Sequence, residues 1–172
     1  MKHTQIKLSE SQLKTLGFLK VIYWVMLVNP IIYTLLAWFR VQSMSNDVNT
    51  QTPSPATPKH VFPMGTQNQN DDVMILCAGV GFGAAIIALI LYRRGMHYRQ
   101  TKKIAKDKKE NHFMKVMLIT WVLFEICAAS GLALSFITRS LSDITPFIGV
   151  SLLGIMSHPP SQGRLRRLIA GK

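Results

Sequence analysis

Four apolar runs separate the polar segments of this chain, and their lengths indicate what they do. In chain order, the runs are Thr15–Phe39, Val73–Tyr92, Val116–Ile137 and Ile144–Ser157. A helix of about 20 apolar residues crosses the roughly 30 Å of hydrocarbon in a bilayer. The first three runs reach that length, and the fourth is shorter. Only two charged residues, Lys20 and Glu125, fall inside the runs. The pattern therefore predicts a multi-pass helical membrane protein.

The distribution of Lys and Arg predicts how the chain is threaded, because basic loops tend to stay in the cytoplasm. Residues 1–14, 93–115 and 159–172 are rich in Lys and Arg, whereas 40–72 and 138–143 hold few. This alternation requires four crossings with both termini in the cytoplasm. We therefore expect an all-α protein of the inner (plasma) membrane, with four transmembrane helices arranged as two antiparallel hairpins.

The same reasoning divides the chain into eight segments. In order, we expect a cytoplasmic tail (1–14), the first span (15–39), a disordered outer loop (40–72), the second span (73–92), a basic cytoplasmic loop (93–115), the third span (116–137), the fourth span (141–158) and a basic cytoplasmic tail (159–172). The outer loop is rich in Ser, Thr, Asn, Gln and Pro and has too few apolar residues to fold alone. In the basic loop, we expect the second helix to continue and to turn near Asn111.

The net charge of +12 does not indicate a nucleic-acid partner. A nucleic-acid-binding domain carries its basic face on a soluble core, whereas here the basic residues lie between apolar runs. We expect the basic loop 93–115 to attract anionic lipid headgroups, with docking of a cytoplasmic protein as the alternative.

Several kinds of chemistry lack their usual residues. All five His residues lie outside the three long spans, no Cys/His cluster has metal-ligand spacing, and no nucleotide-binding loop is present. Ser130 and Ser135 have no His or Lys nearby in their span to act as a general base. We therefore expect no enzyme activity, no cofactor and no bound metal.

Glu125 is the one carboxylate inside an apolar run. A charged side chain in the middle of a bilayer costs about 2.5–3.5 kcal/mol on insertion scales, so such residues usually face other helices and serve a transport pathway. Burial favours the neutral form of a carboxyl group, and a group held in that way could exchange a proton or bind a small cation. The alternative is that a protonated Glu125 only bonds helices together.

Glycines on the second run lie at the depth expected for Glu125. Gly79 and Gly83 have the spacing that lets helices approach closely in lipid, and Gly81 lies between them. An antiparallel second helix would bring these glycines opposite Glu125. We therefore predict an ion-binding groove formed by Glu125, Gly79, Gly81 and Gly83.

The stretch Glu125–Phe136 resembles the carboxylate-bearing helix of the proteolipid (c) subunit of rotary ATPases. In that family, Gly-Leu follows the Glu by six residues, as Gly131-Leu132 does here, and the helix packs against one with repeated glycines. Val28–Tyr33 is similar to a variant of the same helix, with Val28 where the carboxylate would stand. The basic loop 93–115 is longer than the family's polar loop, and the outer loop has no counterpart there.

This resemblance implies that Glu125 carries a proton or sodium ion. The partners it implies, besides the lipid bilayer, are further copies of the chain in a homo-oligomer or a larger membrane complex. The rival hypothesis is a scaffold or accessory subunit of a membrane complex that transports nothing, in which the carboxyl group only bonds helices.

Overall fold

The described residues of this computed structural model, 8–49, 65–97, 104–105 and 108–170, are almost entirely helical. Five helices follow in order: α1 (Glu10–Asn49), α2 (Gly65–Gly95), α3 (Lys109–Thr138), α4 (Thr145–Met156) and α5 (Gln162–Ala170). No strand occurs within these ranges, which confirms the all-α prediction for them. The parts of the predicted tails and loops at 1–7, 50–64, 98–103, 106–107 and 171–172 lie outside the described residues.

Three of the helices are long and apolar enough to cross a membrane. These candidate spans are Glu10–Ser43, Asp71–Gly95 and Lys109–Thr138, and they contain the first three apolar runs. The helix α4 has 12 residues, which at 1.5 Å per residue is about 18 Å, less than the hydrocarbon thickness. The architecture is compatible with a membrane protein, and the fourth crossing stays a prediction.

The long helices extend beyond the apolar runs. Because α1 continues to Asn49 and α2 begins at Gly65, residues 40–49 and 65–72 of the expected outer loop are helical. The expectation that the second helix turns near Asn111 is wrong, since α2 ends at Gly95 and Asn111 lies in the first turn of α3. A glycine costs about 1 kcal/mol inside a helix relative to alanine, which favours an end at Gly95.

The helix α3 is the centre of the bundle. It packs against α1, α2, α4 and α5, whereas α1 and α2 have little contact with each other among the described residues. Its large side chains Phe113, Met117, Trp121 and Phe124 are fully buried. Two packed antiparallel hairpins are therefore not confirmed, because α2 packs mainly on α3 and has little contact with α1, its partner in the predicted first hairpin.

Contacts at the helix termini establish the directions of α1, α2 and α3. The hydroxyl group of Thr15 near the start of α1 donates a hydrogen bond to Glu110 at the start of α3, so these two helices run parallel. The ring of His112 is 2.8 Å from the backbone oxygen of Gly95, so the end of α2 lies beside the start of α3. We call this end of the molecule the Thr15 end.

The helix α4 returns along α3 through close contacts at two glycines. A Cβ atom added to Gly131 would lie 2.5 Å from Cβ of Phe147, and one added to Gly154 would lie closer still to the ring of Phe124. Since residues 131 and 124 of α3 meet residues 147 and 154 of α4, the two helices are antiparallel. The missing side chains allow their backbones to approach closely.

Candidate functional site

Glu125 lies near the middle of α3, 16 residues after its first residue and 13 before its last. Its side chain is 9% exposed, and both carboxyl oxygens are closed off from solvent. Because α3 is one of the helices long enough to cross a membrane, this carboxyl group is removed from both of the helix's polar ends. Glu125 is therefore a buried acid near the middle of a long apolar helix, and its position inside a membrane stays a prediction.

The polar neighbours of Glu125 come from α1. The amide group of Asn29 and the hydroxyl group of Tyr33 lie within reach of the carboxyl group. These two residues are four apart, one helical turn, so they share a face of α1. Because Thr15 contacts Glu110, positions equally far along α1 and α3 from these two residues lie at similar heights. Asn29 and Tyr33 lie 14 and 18 residues beyond Thr15. Glu125 lies 15 residues beyond Glu110. Parallel helices in this register bring the three residues to one height.

Among the described residues, neither carboxyl oxygen of Glu125 makes a hydrogen bond that meets the usual distance and angle criteria. Hydroxyl groups on the same helix behave differently. Thr120 donates to the backbone oxygen of Val116 at 2.7 Å, and Ser130 donates to that of Ile126 at 2.8 Å. Buried polar groups are nearly always hydrogen-bonded, and an exception calls for a chemical explanation.

The proline beside Asn29 adds a second polar feature at this height. Pro30 is buried within α1, which continues as a helix through it. A proline has no backbone N–H, so the carbonyl group of Met26, four residues earlier, lacks its usual helical donor. An Asn-Pro pair within an apolar run indicates a helix kink or, more rarely, an ion site. In the structure, the side chain of Asn29 lies within reach of Glu125.

The three predicted glycines have other neighbours. A Cβ atom added to Gly81 would lie 2.8 Å from the ring of Phe147 and 3.1 Å from Cβ of Ser130. At Gly79 and Gly83, no atom of another helix in the described structure lies within 4 Å of the corresponding position. The structure therefore does not bring these glycines against Glu125, and their ion-binding role stays a prediction.

The reason for this separation is the angle between residues on α3. Ser130, which lies beside Gly81, is five residues after Glu125, and at 100° per residue the two point about 140° apart around the helix. The helix α2 thus covers one side of α3, while Glu125 points to another side, which α1 covers. The position of the glycines along the helix axis therefore did not predict which side of α3 they contact.

Sequence reasoning did not assign Asn29 and Tyr33 to the site. One signal was available, because Asn29 is the one side-chain amide in the first apolar run, and Tyr33 lies one turn after it. The two residues and Glu125 together offer carboxyl, amide and phenol oxygens. Such a set can hold a proton on the carboxyl group or present oxygen ligands to a small cation. No group of three or more His, Cys, Asp or Glu residues that could hold a metal occurs in the described part of the chain.

A second polar cluster, formed by Tyr92, Trp121, His158 and Arg164, joins the helices nearer the Thr15 end. The indole nitrogen of Trp121 donates to the backbone oxygen of His158 at 3.2 Å, and Nδ1 of His158 lies 2.6 Å from the backbone oxygen of Gly154. Arg164 donates to the hydroxyl group of Tyr92 at 2.8 Å. We call this set the Tyr92–Arg164 cluster, and its members are bonded across α2, α3, the end of α4 and α5.

Comparison of the chain with protein-family models, with curated proteins and with solved structures finds no match. The function is therefore inferred from the geometry of the site.

Proposed function

We propose that this chain is an integral membrane protein in which Glu125 exchanges a proton or a small cation. The observation that carries this proposal is a buried carboxyl group near the middle of a 30-residue apolar helix. Among the described residues, its oxygens make no hydrogen bond within the usual distance and angle limits, although Asn29 and Tyr33 are within reach. Burying such a group without partners costs free energy. A carboxyl group that must bind and release an ion cannot keep permanent hydrogen bonds to protein donors. Ion exchange would therefore explain why the fold accepts the free-energy cost of burying this group.

The proposal includes the wider setting inferred from the sequence. The protein would lie in an inner membrane with both termini in the cytoplasm, and residues 141–158 would form a fourth crossing. It would act as a proteolipid-like component, with further copies or a membrane complex as partners. Asn29 and Tyr33 would adjust the affinity of Glu125 for the ion, because both lie within reach of its carboxyl group.

A scaffold function is the second candidate, and the position of Asn29 and Tyr33 favours it. A protonated Glu125 that shares hydrogen bonds with them would join α1 to α3 without transporting an ion. Interhelical hydrogen bonds of this kind contribute about 0.6 kcal/mol on average in membrane proteins. In this alternative the carboxyl group keeps its proton whenever the protein is folded.

Infrared titration of the purified full-length protein in lipid nanodiscs separates the two candidates. The band of a protonated carboxyl group is followed between pH 5 and pH 9, and the part missing from Glu125→Gln is assigned to Glu125. Ion exchange predicts that this band disappears reversibly within the range, or on addition of Na⁺ or Li⁺. A band that stays unchanged under every condition would contradict ion exchange and favour the scaffold. Asp71→Asn is the matched control, because Asp71 is an exposed acid.

A further inference from the structure

The short helix α5 is held firmly on the bundle at the Thr15 end. Leu165 and Leu168, three residues apart, are buried, whereas Arg167 between them is exposed. The ammonium group of Lys109 donates hydrogen bonds to the backbone oxygens of Leu168 at 3.1 Å and Ile169 at 3.3 Å. A cation at the C-terminal end of a helix also interacts favourably with the helix dipole. The basic side of α5 therefore has a defined position.

Arg164 joins α5 to the end of α2. Its guanidinium group donates to the hydroxyl group of Tyr92 at 2.8 Å and to the backbone oxygen of Ser157 at 3.1 Å. The guanidinium carbon also lies 5.7 Å from the centre of the Tyr92 ring. Arg93 and Arg94 directly follow Tyr92, and Arg166 and Arg167 come two and three residues after Arg164, so this contact places all four arginines at the same end of the bundle. We call Arg93, Arg94, Arg166 and Arg167 the arginine cluster.

The charge of the arginine cluster is not compensated by acids in the described residues. Among these residues, the one ion pair joins Lys14 to Glu10, and Glu110 accepts a hydrogen bond from Thr15. Arg93, Arg94 and Arg167 are exposed. Nε of Arg166 is closed off and has no hydrogen-bond partner in the described structure. An external anion would satisfy the exposed guanidinium groups.

We propose that the arginine cluster binds the phosphate of an anionic phospholipid. The cluster follows directly after the apolar part of α2, in which Ile87, Ile90 and Leu91 are exposed. A lipid could thus place its acyl chains on these residues and its headgroup on the arginines. Guanidinium groups bind phosphate through paired hydrogen bonds, and a bilayer surface of anionic lipid attracts basic residues at this level. The apolar surface directly beside the cluster favours a lipid over a free phosphate ion.

Titration of the purified full-length protein in detergent micelles with phosphatidylglycerol or phosphatidylcholine, followed by native mass spectrometry, tests this proposal. We expect phosphatidylglycerol to bind the wild-type protein more tightly than phosphatidylcholine. The double variant Arg166→Gln/Arg167→Gln should lose about 30-fold in affinity for phosphatidylglycerol, from the effect of two basic residues. The double variant Arg93→Gln/Arg94→Gln should lose a similar factor, and it serves if the first variant does not fold.

A matched control removes the same charge from the other end of the bundle. Arg40 and Arg139, both exposed, lie towards the C-terminal ends of α1 and α3. The double variant Arg40→Gln/Arg139→Gln should bind phosphatidylglycerol as the wild type does. Equal losses in the control and the cluster variants would overturn the proposal, as would equal affinity for the two lipids. Displacement of the lipid by inorganic phosphate at the same concentration would also overturn it, in favour of a free phosphate ion.

Discussion

The middle of the bundle and the Tyr92–Arg164 cluster differ in the hydrogen bonding of their buried polar groups. In the cluster, Arg164 bonds to Tyr92, and Trp121 bonds to the backbone of His158. In the middle, the oxygens of Glu125 are buried without a hydrogen bond of full geometry in the described structure, although Asn29 and Tyr33 are within reach. Both regions lie along α3, against which the other four helices pack, so the difference is local.

Under the proposed function, this contrast separates side chains that hold the helices together from a carboxyl group that exchanges an ion. Hydrogen bonds satisfied inside the fold each contribute about 1 kcal/mol. An unsatisfied buried carboxyl group opposes folding instead. We therefore expect substitutions in the cluster to change stability and substitutions at Glu125 to change ion exchange.

Trp121→Ala should give the largest loss of stability. The Trp121 side chain is fully buried against Tyr23, with ring centres 5.6 Å apart, and its nitrogen bonds to His158. Removal of a buried Trp costs about 3–5 kcal/mol. Denaturant titration in micelles measures the free energy of unfolding. Trp121→Phe is the control, because it keeps most of the ring and should cost less. Equal stability of Trp121→Ala and the wild type would show that the bundle does not pack at this residue.

Gly131→Ala should destabilise the contact between α3 and α4 by about 1–3 kcal/mol, since the added methyl group would overlap the side chain of Phe147. The matched controls are Gly79→Ala and Gly83→Ala, where open space surrounds the added atom. Each control should instead raise the free energy of unfolding by up to about 1 kcal/mol, because alanine favours the helix more than glycine does. The controls also test the predicted groove, because a glycine that lines the ion site should change ion exchange when substituted.

Arg164→Gln should cost about 1–2 kcal/mol, because a half-buried guanidinium group loses its bonds to Tyr92 and Ser157. The same denaturant titration measures the loss. Tyr92→Phe removes only the acceptor hydroxyl group and should have a smaller effect in the same direction. If neither substitution changes stability, the cluster does not hold α5 on the bundle, and the contrast with Glu125 disappears.

Glu125→Gln should have the smallest effect on stability among the substitutions of buried polar groups. Glutamine has nearly the same shape and carries no ionisable proton, so we expect a change below about 1 kcal/mol. Glu125→Ala removes the polar group and tests the packing around it. A loss above about 2 kcal/mol in Glu125→Gln would contradict this prediction, because the carboxyl group itself would then stabilise the fold.

The sequence predicted the long helices well, because an apolar run of 20 or more residues with at most one charge is typical of a long apolar helix. It also identified Glu125, the single acid in those runs. It did not identify the helix that faces Glu125. In α1 and α3 the apolar residues surround the whole helix, so no hydrophobic face reveals which side meets a neighbour.

Two smaller features, the helix α5 and the glycine contacts with α4, were also not predicted, for different reasons. The basic tail 159–172 contains Leu165 and Leu168 at helical spacing among arginines, a pattern from which α5 could have been predicted. The contact of Gly131 and Gly154 with α4 depends on long-range packing, and glycine spacing alone did not distinguish it from the open positions Gly79 and Gly83.

Modification by a hydrophobic carbodiimide tests the central claim most directly, because this reagent reacts with protonated carboxyl groups that it reaches from the apolar phase. The full-length protein in micelles is treated at pH 7, and the modified residue is located by peptide mass spectrometry. We predict modification at Glu125 that decreases as the pH rises and is absent from Glu125→Gln. A folded protein in which Glu125 stays unmodified at every pH, while α3 remains intact, would contradict the claim.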